Sequence, residues 1–186
     1  MLRQRKVGNI VSSSRSFFSV EDNWFGFVAL SSDRKEMVIV FRGTETTKEW
    51  IENATLGMTK LDGAPKETGW DALWNRNDLM CHIGFQQLYT EQTVKGGESP
   101  KETVHRLVQE YKTDIDKITV LGHSLGAAIT QVCAIDLVHS GVAGDIPVLA
   151  LAWAAPRIGN PALAAYVESL QPRLRILRIR NPLDEV

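Results

Sequence analysis

The sequence predicts an α/β domain: a mainly parallel sheet with helices on both faces. Three observations predict it. From residue 98 onward, helix and strand patterns alternate in order, which is the signature of such a domain. Ile146-Pro-Val-Leu-Ala-Leu-Ala-Trp-Ala-Ala155 is near-continuously apolar, as a strand covered on both faces must be. Between these, a β-branched run from Ile118 to Leu121 meets Gly122-His123-Ser124-Leu125-Gly126, and a long Ala-rich apolar pattern follows. That succession is strand, sharp turn, helix.

The elements follow in chain order. The first stretch carries no periodic pattern. Trp24 to Leu30 reads as a strand, Ser31 to Lys35 as a polar turn, and Glu36 to Gly43 as a second strand, together a hairpin. Glu45 to Glu52 is a short helix. Residues 57–80 mix Gly, Pro, Lys and Asp with Trp70 and Trp74, an excursion from the core. Cys81 to Thr90 begins another helix, with Phe85, Leu88 and Tyr89 on one side, and Lys95 to Ser99 is a loop. The next helix starts with Ser99 at N-cap, Pro100 at N1 and Glu102 at N3, a capping box. Val104, Leu107, Val108 and Tyr111 give it one buried face. The helix after Ser124 is closed by Gly141 to Gly144. Asn160-Pro161 starts another, with Leu163, Tyr166, Val167 and Leu170 inward. Arg173 to Arg180 alternates strictly, a strand with one polar face, near the sheet edge.

Composition bounds the function. The 186 residues are 44% hydrophobic and 23% charged with net charge −1, an ordinary globular balance. That charge gives no basic field for nucleic acid. No stretch reaches the eighteen or so apolar residues of a membrane span. Cys81 and Cys133 show neither a disulfide framework nor metal spacing. Cys133 reads as a buried free thiol, which fits a reducing, cytoplasmic setting. The alternative is the plastid: residues 1–17 hold Arg3, Arg5, Lys6, Arg15 and several serines without an acid, a composition like that of a transit peptide. The composition equally suits a fragment that begins inside a helix or loop of a longer domain, which is the preferred reading, so residues 1–17 stay an uncertain segment before a domain over 18–186.

The chemistry centres on Gly122-His-Ser-Leu-Gly126. A Gly-x-Ser-x-Gly arises by chance in roughly one chain in twenty of this length, so its strand-turn-helix context is what gives it meaning. There the turn presents the Ser124 hydroxyl at the tip of a strained bend. Flanking glycines permit the bend. The helix start aims backbone N–H groups at a developing oxyanion, Leu125 N–H first. A second donor belongs on an earlier loop, and Thr44, at the abrupt end of the second strand, fits; it suits a helix N-cap equally well. A serine needs a base, and the base needs an orienting acid. Asp184, directly after the last strand, has the position expected of the acid. It also suits a turn after Asn181-Pro182. Glu185 is its neighbour, while Asp136 and Asp145 are worse placed.

Phe41-Arg-Gly-Thr44, Cys81-His-Ile-Gly-Phe85, Gly122-His-Ser-Leu-Gly-Ala-Ala128, Ala155-Pro-Arg-Ile-Gly-Asn160 and Arg180-Asn-Pro-Leu-Asp184 occur in this order. Together they resemble the class 3 lipases, most closely the plant phospholipases A1 and acylglycerol lipases. The resemblance spans about residues 18–186. It implies an α/β-hydrolase fold, Ser124 as nucleophile, Asp184 as acid, and Thr44 with Leu125 as oxyanion hole. It also implies glycerolipid ester hydrolysis without metal or cofactor, transient contact with a lipid interface, and a lid matching residues 47–60. The family's catalytic His lies downstream of the acid, and none of His82, His105, His123 and His139 matches it. The expectation is a chain truncated at its C-terminus. The competing reading is a catalytically silent, lipase-like binding or signalling protein.

Overall fold

The computed structural model describes residues 15–18, 24–31, 33–43, 57–61, 78–91 and 97–180. Along the chain these form β1 (Arg15–Phe18), β2 (Trp24–Ser31), β3 (Glu36–Phe41), β4 (Met58–Lys60) and β5 (Met80–His82). Then come α1 (Ile83–Thr90), α2 (Pro100–Tyr111), β6 (Lys117–His123), α3 (Leu125–His139), β7 (Val148–Trp153), α4 (Pro161–Ser169) and β8 (Leu174–Ile179). The central sheet has the order β1-β2-β3-β6-β7-β8. β1, β2 and β3 pair antiparallel, and β3, β6, β7 and β8 run parallel. The expected hairpin and the alternating second half are therefore both present. Among the described strands, the arginine-rich strand also stands at the sheet edge.

Register explains where the core lies. Met37, Ile118, Val148 and Leu174 form one row across the four parallel strands, and none is more than 2% exposed. Ile39, Val120, Ala150 and Ile176 form the next row, and Phe41, Gly122, Ala152 and Arg178 the row after it. At β6 and β7 the side chains shrink towards the carboxyl ends of the strands, from Ile118 to Gly122 and from Val148 to Ala152. The sheet thus opens room for a helix to come close. That helix is α3, buried from Leu125 to Val138 without interruption. A helix apolar on every side is one enclosed on every side.

Local chemistry sets the other boundaries. Ser99 caps α2: its side chain accepts the Glu102 N–H at 3.1 Å, and the Glu102 carboxylate accepts the Ser99 N–H at 2.7 Å. Val104, Leu107 and Val108 are buried, as the spacing expects. Asn160 caps α4 by accepting the Leu163 N–H. Beyond α3, Gly141 and Gly144 take positive φ of 78° and 60° and turn the chain out of the helix, which glycine does without steric cost.

Four expectations are corrected. The opening stretch contributes β1, paired with β2. Met58–Lys60 and Met80–His82 pair as a second, two-stranded sheet, so both ends of the excursion are regular. For the same reason α1 starts at Ile83 and not at Cys81: His82 is extended and caps the helix through Nδ1, which accepts the Gly84 N–H. Three-residue strands are too short to show a period. The apolar run 146–155 yields only Val148–Trp153 as strand, because Ala154 turns at φ 48°. The helix expected at 45–52, Trp70 and Trp74 lie outside the described residues, as does the lid candidate except for Gly57 and Met58–Lys60.

Loss of the α2 cap has a defined cost. Ser99→Ala is expected to lower stability by about 1 kcal/mol, read as a shift in the urea midpoint with unchanged slope. No shift would mean that the capping box contributes nothing.

Candidate active site

Ser124 sits between the last residue of β6 and the first turn of α3. Its backbone has φ 55° and ψ −121°, a conformation that costs a non-glycine residue about 1–3 kcal/mol. Three hydrogen bonds hold it there. The Ser124 N–H donates to the Trp153 carbonyl at 2.9 Å, and the Ser124 carbonyl accepts from Ala127 N–H and Ala128 N–H. The hydroxyl does not cap its own helix. Leu125 opens α3, so its N–H is among the first four of the helix, which have no intrahelical acceptor.

The glycines around Ser124 allow close backbone approach. A Cβ on Gly122 would collide with the Gly126 carbonyl and come within 2.6 Å of Thr130 Oγ1. A Cβ on Gly126 would collide with the Phe41 carbonyl oxygen and lie 2.8 Å from the Arg42 carbonyl. The start of α3 is thereby pressed against both β6 and β3. On the other side, a Cβ on Gly43 would be 2.9 Å from the His123 carbonyl oxygen, so the end of β3 abuts the turn. Thr44 and Asp184 lie outside the described residues.

His123, Trp153 and Ile179 share a row across β6, β7 and β8, on the face opposite Gly122, Ala152 and Arg178. Trp153 is 37% and Ile179 44% exposed. An apolar rim therefore flanks the turn at the carboxyl ends of the strands, where open α/β sheets take their ligands.

The four histidines are placed as follows. His123 is exposed at the end of β6. His82 caps α1, and burial lowers its pKa. His139 Nδ1 meets the Tyr166 hydroxyl at 2.5 Å. His105 Nε2 meets Asp136 Oδ2 at 2.5 Å. Asp136 and His139 stand on α3 about 18 and about 22 Å along the helix from Ser124, at 1.5 Å per residue. His105 and His139 are thus out of reach of the Ser124 hydroxyl.

Asp136 is a residue whose role the sequence did not reveal. It is 5% exposed and gathers three elements: Tyr89 of α1 donates at 2.9 Å, Lys101 of α2 lies at 3.2 Å, and His105 of α2 contacts it as above. Burial works to raise its pKa, but the His105 hydrogen bond and charge, followed by the Lys101 charge, prevail and lower it. The available signal was an acid inside an apolar helix together with Lys101 and His105 one turn apart. Tyr89 is pushed well up by burial, then by Cys133 and Asp136. Both cysteines are buried and free; burial raises the Cys81 thiol to about 11 and the Cys133 thiol further. Among the described residues no group of three or more His, Cys, Asp or Glu is placed to hold a metal. Nor is any helix among them long and apolar enough to cross a membrane.

A serine held at positive φ between a parallel strand and a buried helix, on a sheet of this order, defines the α/β-hydrolase arrangement. The chain belongs to the lipase (class 3) family, whose model matches residues 38–186. It is 32% identical over 194 residues to phospholipase A1-II 3 of Oryza sativa subsp. indica, an alignment covering 94% of this chain and 45% of that protein. It is 34% identical over 182 residues to the chloroplastic phospholipase A1-Ialpha2 of Arabidopsis thaliana, covering 88% of this chain and 36% of the relative. The chain thus spans less than half the length of these relatives. The triacylglyceride lipase of Rhizomucor miehei superposes with a TM-score of 0.65 at 27% identity, over 95% of this chain and 58% of the lipase.

Two outcomes test these packing arguments. Gly126→Ala is expected to destabilise by about 3 kcal/mol, the upper end of overpacking, measured by chemical denaturation; wild-type stability would mean that α3 can retreat from β3. Asp136 has a folded pKa below its ordinary 3.8. Its contribution is therefore full above that value and is lost as pH falls through the folded pKa. The stability gap between wild type and Asp136→Asn should shrink as pH drops below 3.8; a gap independent of pH would contradict the ion-pair account.

Proposed function

We propose that this chain is the nucleophile-bearing part of a glycerolipid ester hydrolase of the phospholipase A1 or triacylglycerol lipase type. The observation that carries the reading is Ser124 at φ 55°, with the start of α3 behind it and the apolar rim of Trp153 and Ile179 alongside. Membership of the class 3 lipase family supports the same chemistry, as do relatives named phospholipase A1.

In this reading a histidine base takes the Ser124 proton and the hydroxyl oxygen attacks the ester carbonyl carbon. Leu125 N–H donates to the resulting oxyanion in a site already organised for that charge. Thr44 supplies the second donor; its neighbour Gly43 lies against the turn, which supports this assignment. The tetrahedral intermediate collapses, the alcohol portion leaves with the proton from the base, and water then cleaves the acyl-enzyme. Asp184 orients the base. It follows Arg180 by four residues, and β8 ends two strands from β6, about 10 Å across the sheet. The base is a histidine of the full-length protein: His105 and His139 are remote from Ser124, His82 caps α1, and none of the four matches the family's position. Acyl chains approach over the Trp153 and Ile179 rim, which makes transient contact with a lipid surface. A chloroplastic relative favours the plastid over the cytoplasm.

The test uses the full-length protein with phosphatidylcholine and with triacylglycerol. Ser124→Ala is expected to lower turnover by at least about a thousandfold and Asp184→Asn by roughly ten-thousandfold. Undiminished turnover in Ser124→Ala would overturn the reading. Saturable lipid binding by a wild-type protein with no turnover would establish the silent, binding alternative instead.

A further inference from the structure

A cavity of about 610 Å³ lies between α3, α4 and β8, within the size range of small-molecule sites. Leu174, Ile176 and Arg178 line it from β8. They are alternate residues on one face of a strand, so the cavity follows β8 for about 13 Å at 3.3 Å per residue. Ile135 of α3 and Leu163 of α4 close its sides. Its polarity is graded. The middle is apolar, with Ile135, Leu163, Val167 and Ile176, while Glu168 and Gln171 line the end near Leu174. The other end holds Arg178 and Arg157, and Arg178 is fixed by donating to the Ala155 carbonyl at 2.6 Å.

The cationic end is open to solvent, with Arg157 and Arg178 both exposed. Among the described residues, no carboxylate forms an ion pair with Arg157, Arg178 or Arg180. Burial, then the closeness of Arg157 and Arg180, lowers the pKa of Arg178, so these guanidiniums repel one another. A carboxylate bound there would relieve the repulsion and match the planar guanidinium fork. An apolar trough ending in guanidiniums is complementary to an anion carrying an acyl chain. We propose that this cavity binds a single long-chain carboxylate, its head on Arg157 and Arg178 and its chain along Leu174, Ile176 and Leu163.

The site is distinct from the substrate rim. Arg178 shares its row with Gly122 and Ala152 and faces α3, whereas Trp153 and Ile179 project from the opposite face. A fatty carboxylate is what ester cleavage at Ser124 would release. That source rests on the hydrolase reading, while binding itself does not.

The experiment is calorimetric titration of palmitate, below its micellar concentration, into the full-length Ser124→Ala protein, with hexadecanol and inorganic phosphate as comparison probes. Saturable palmitate binding is expected, weakened about tenfold or more in Arg157→Gln. It should be abolished in Ala164→Trp, which fills the cavity from an exposed position on α4. Circular dichroism checks that both variants stay folded; should Arg157→Gln unfold, Arg157→Lys, which keeps the charge but loses the fork, is expected to bind more weakly than wild type. The proposal is overturned by absent binding, by hexadecanol binding as tightly, by inorganic phosphate displacing palmitate at equal concentration, or by unchanged affinity in the variants. Because palmitate is not an ester and the serine is removed, failure here leaves the hydrolase reading intact. Loss of hydrolysis with palmitate still held at the arginines would leave this site intact.

Discussion

The distance between the first turn of α3 and two strand backbones is the constraint on which this structure depends. Gly126 lets the helix touch the carbonyls at the end of β3, and Gly122 lets it touch the end of β6. Any side chain at either place would drive the helix outward, and with it the N–H groups at its start. The positive φ of Ser124 follows from this closeness: the chain has one residue in which to leave a strand and enter a helix that nearly touches it. Small residues propagate the arrangement sideways, since Ala152 and Ala127 are both fully buried where β7 meets α3. Strain at Ser124 is offset by the burial of the rest of the helix.

A second set of interactions fixes the far end of α3. Asp136 draws together α1 through Tyr89 and α2 through Lys101 and His105. Burying a carboxylate is costly unless it is paired and hydrogen-bonded, and here both of its oxygens are engaged. The polar cluster therefore specifies how three helices sit relative to one another, in a layer that apolar packing alone would leave free to slide.

Much of this was legible in the sequence, and the reasons are physical. Long periodic segments show their identity, so α2, α3, α4 and the parallel strands followed from spacing and caps. The Gly-x-Ser-x-Gly turn was legible because a backbone that tight admits few residue types. Short strands were not: Met58–Lys60 and Met80–His82 hold together by pairing across distant sequence, and no local pattern encodes that. Nor was the Asp136 cluster, because a lone acid or a lone helical histidine carries no mark of its partner. Of the four candidate site residues, Ser124 and Leu125 lie at the strand-to-helix turn, and Thr44 and Asp184 lie outside the described residues.

The two thiols divide the molecule in a further way. Cys81 is enclosed in the small sheet, bridged to Gly159, and Cys133 lies at the centre of α3; neither is exposed at all. The thiolate is the reactive form, and burial suppresses it in both. An alkylating reagent thus waits for each site to open. Cys81 becomes available when the small sheet detaches, and Cys133 only when α3 leaves the core. One reagent therefore follows two separate breathing motions of the same chain, one at the periphery and one at its centre.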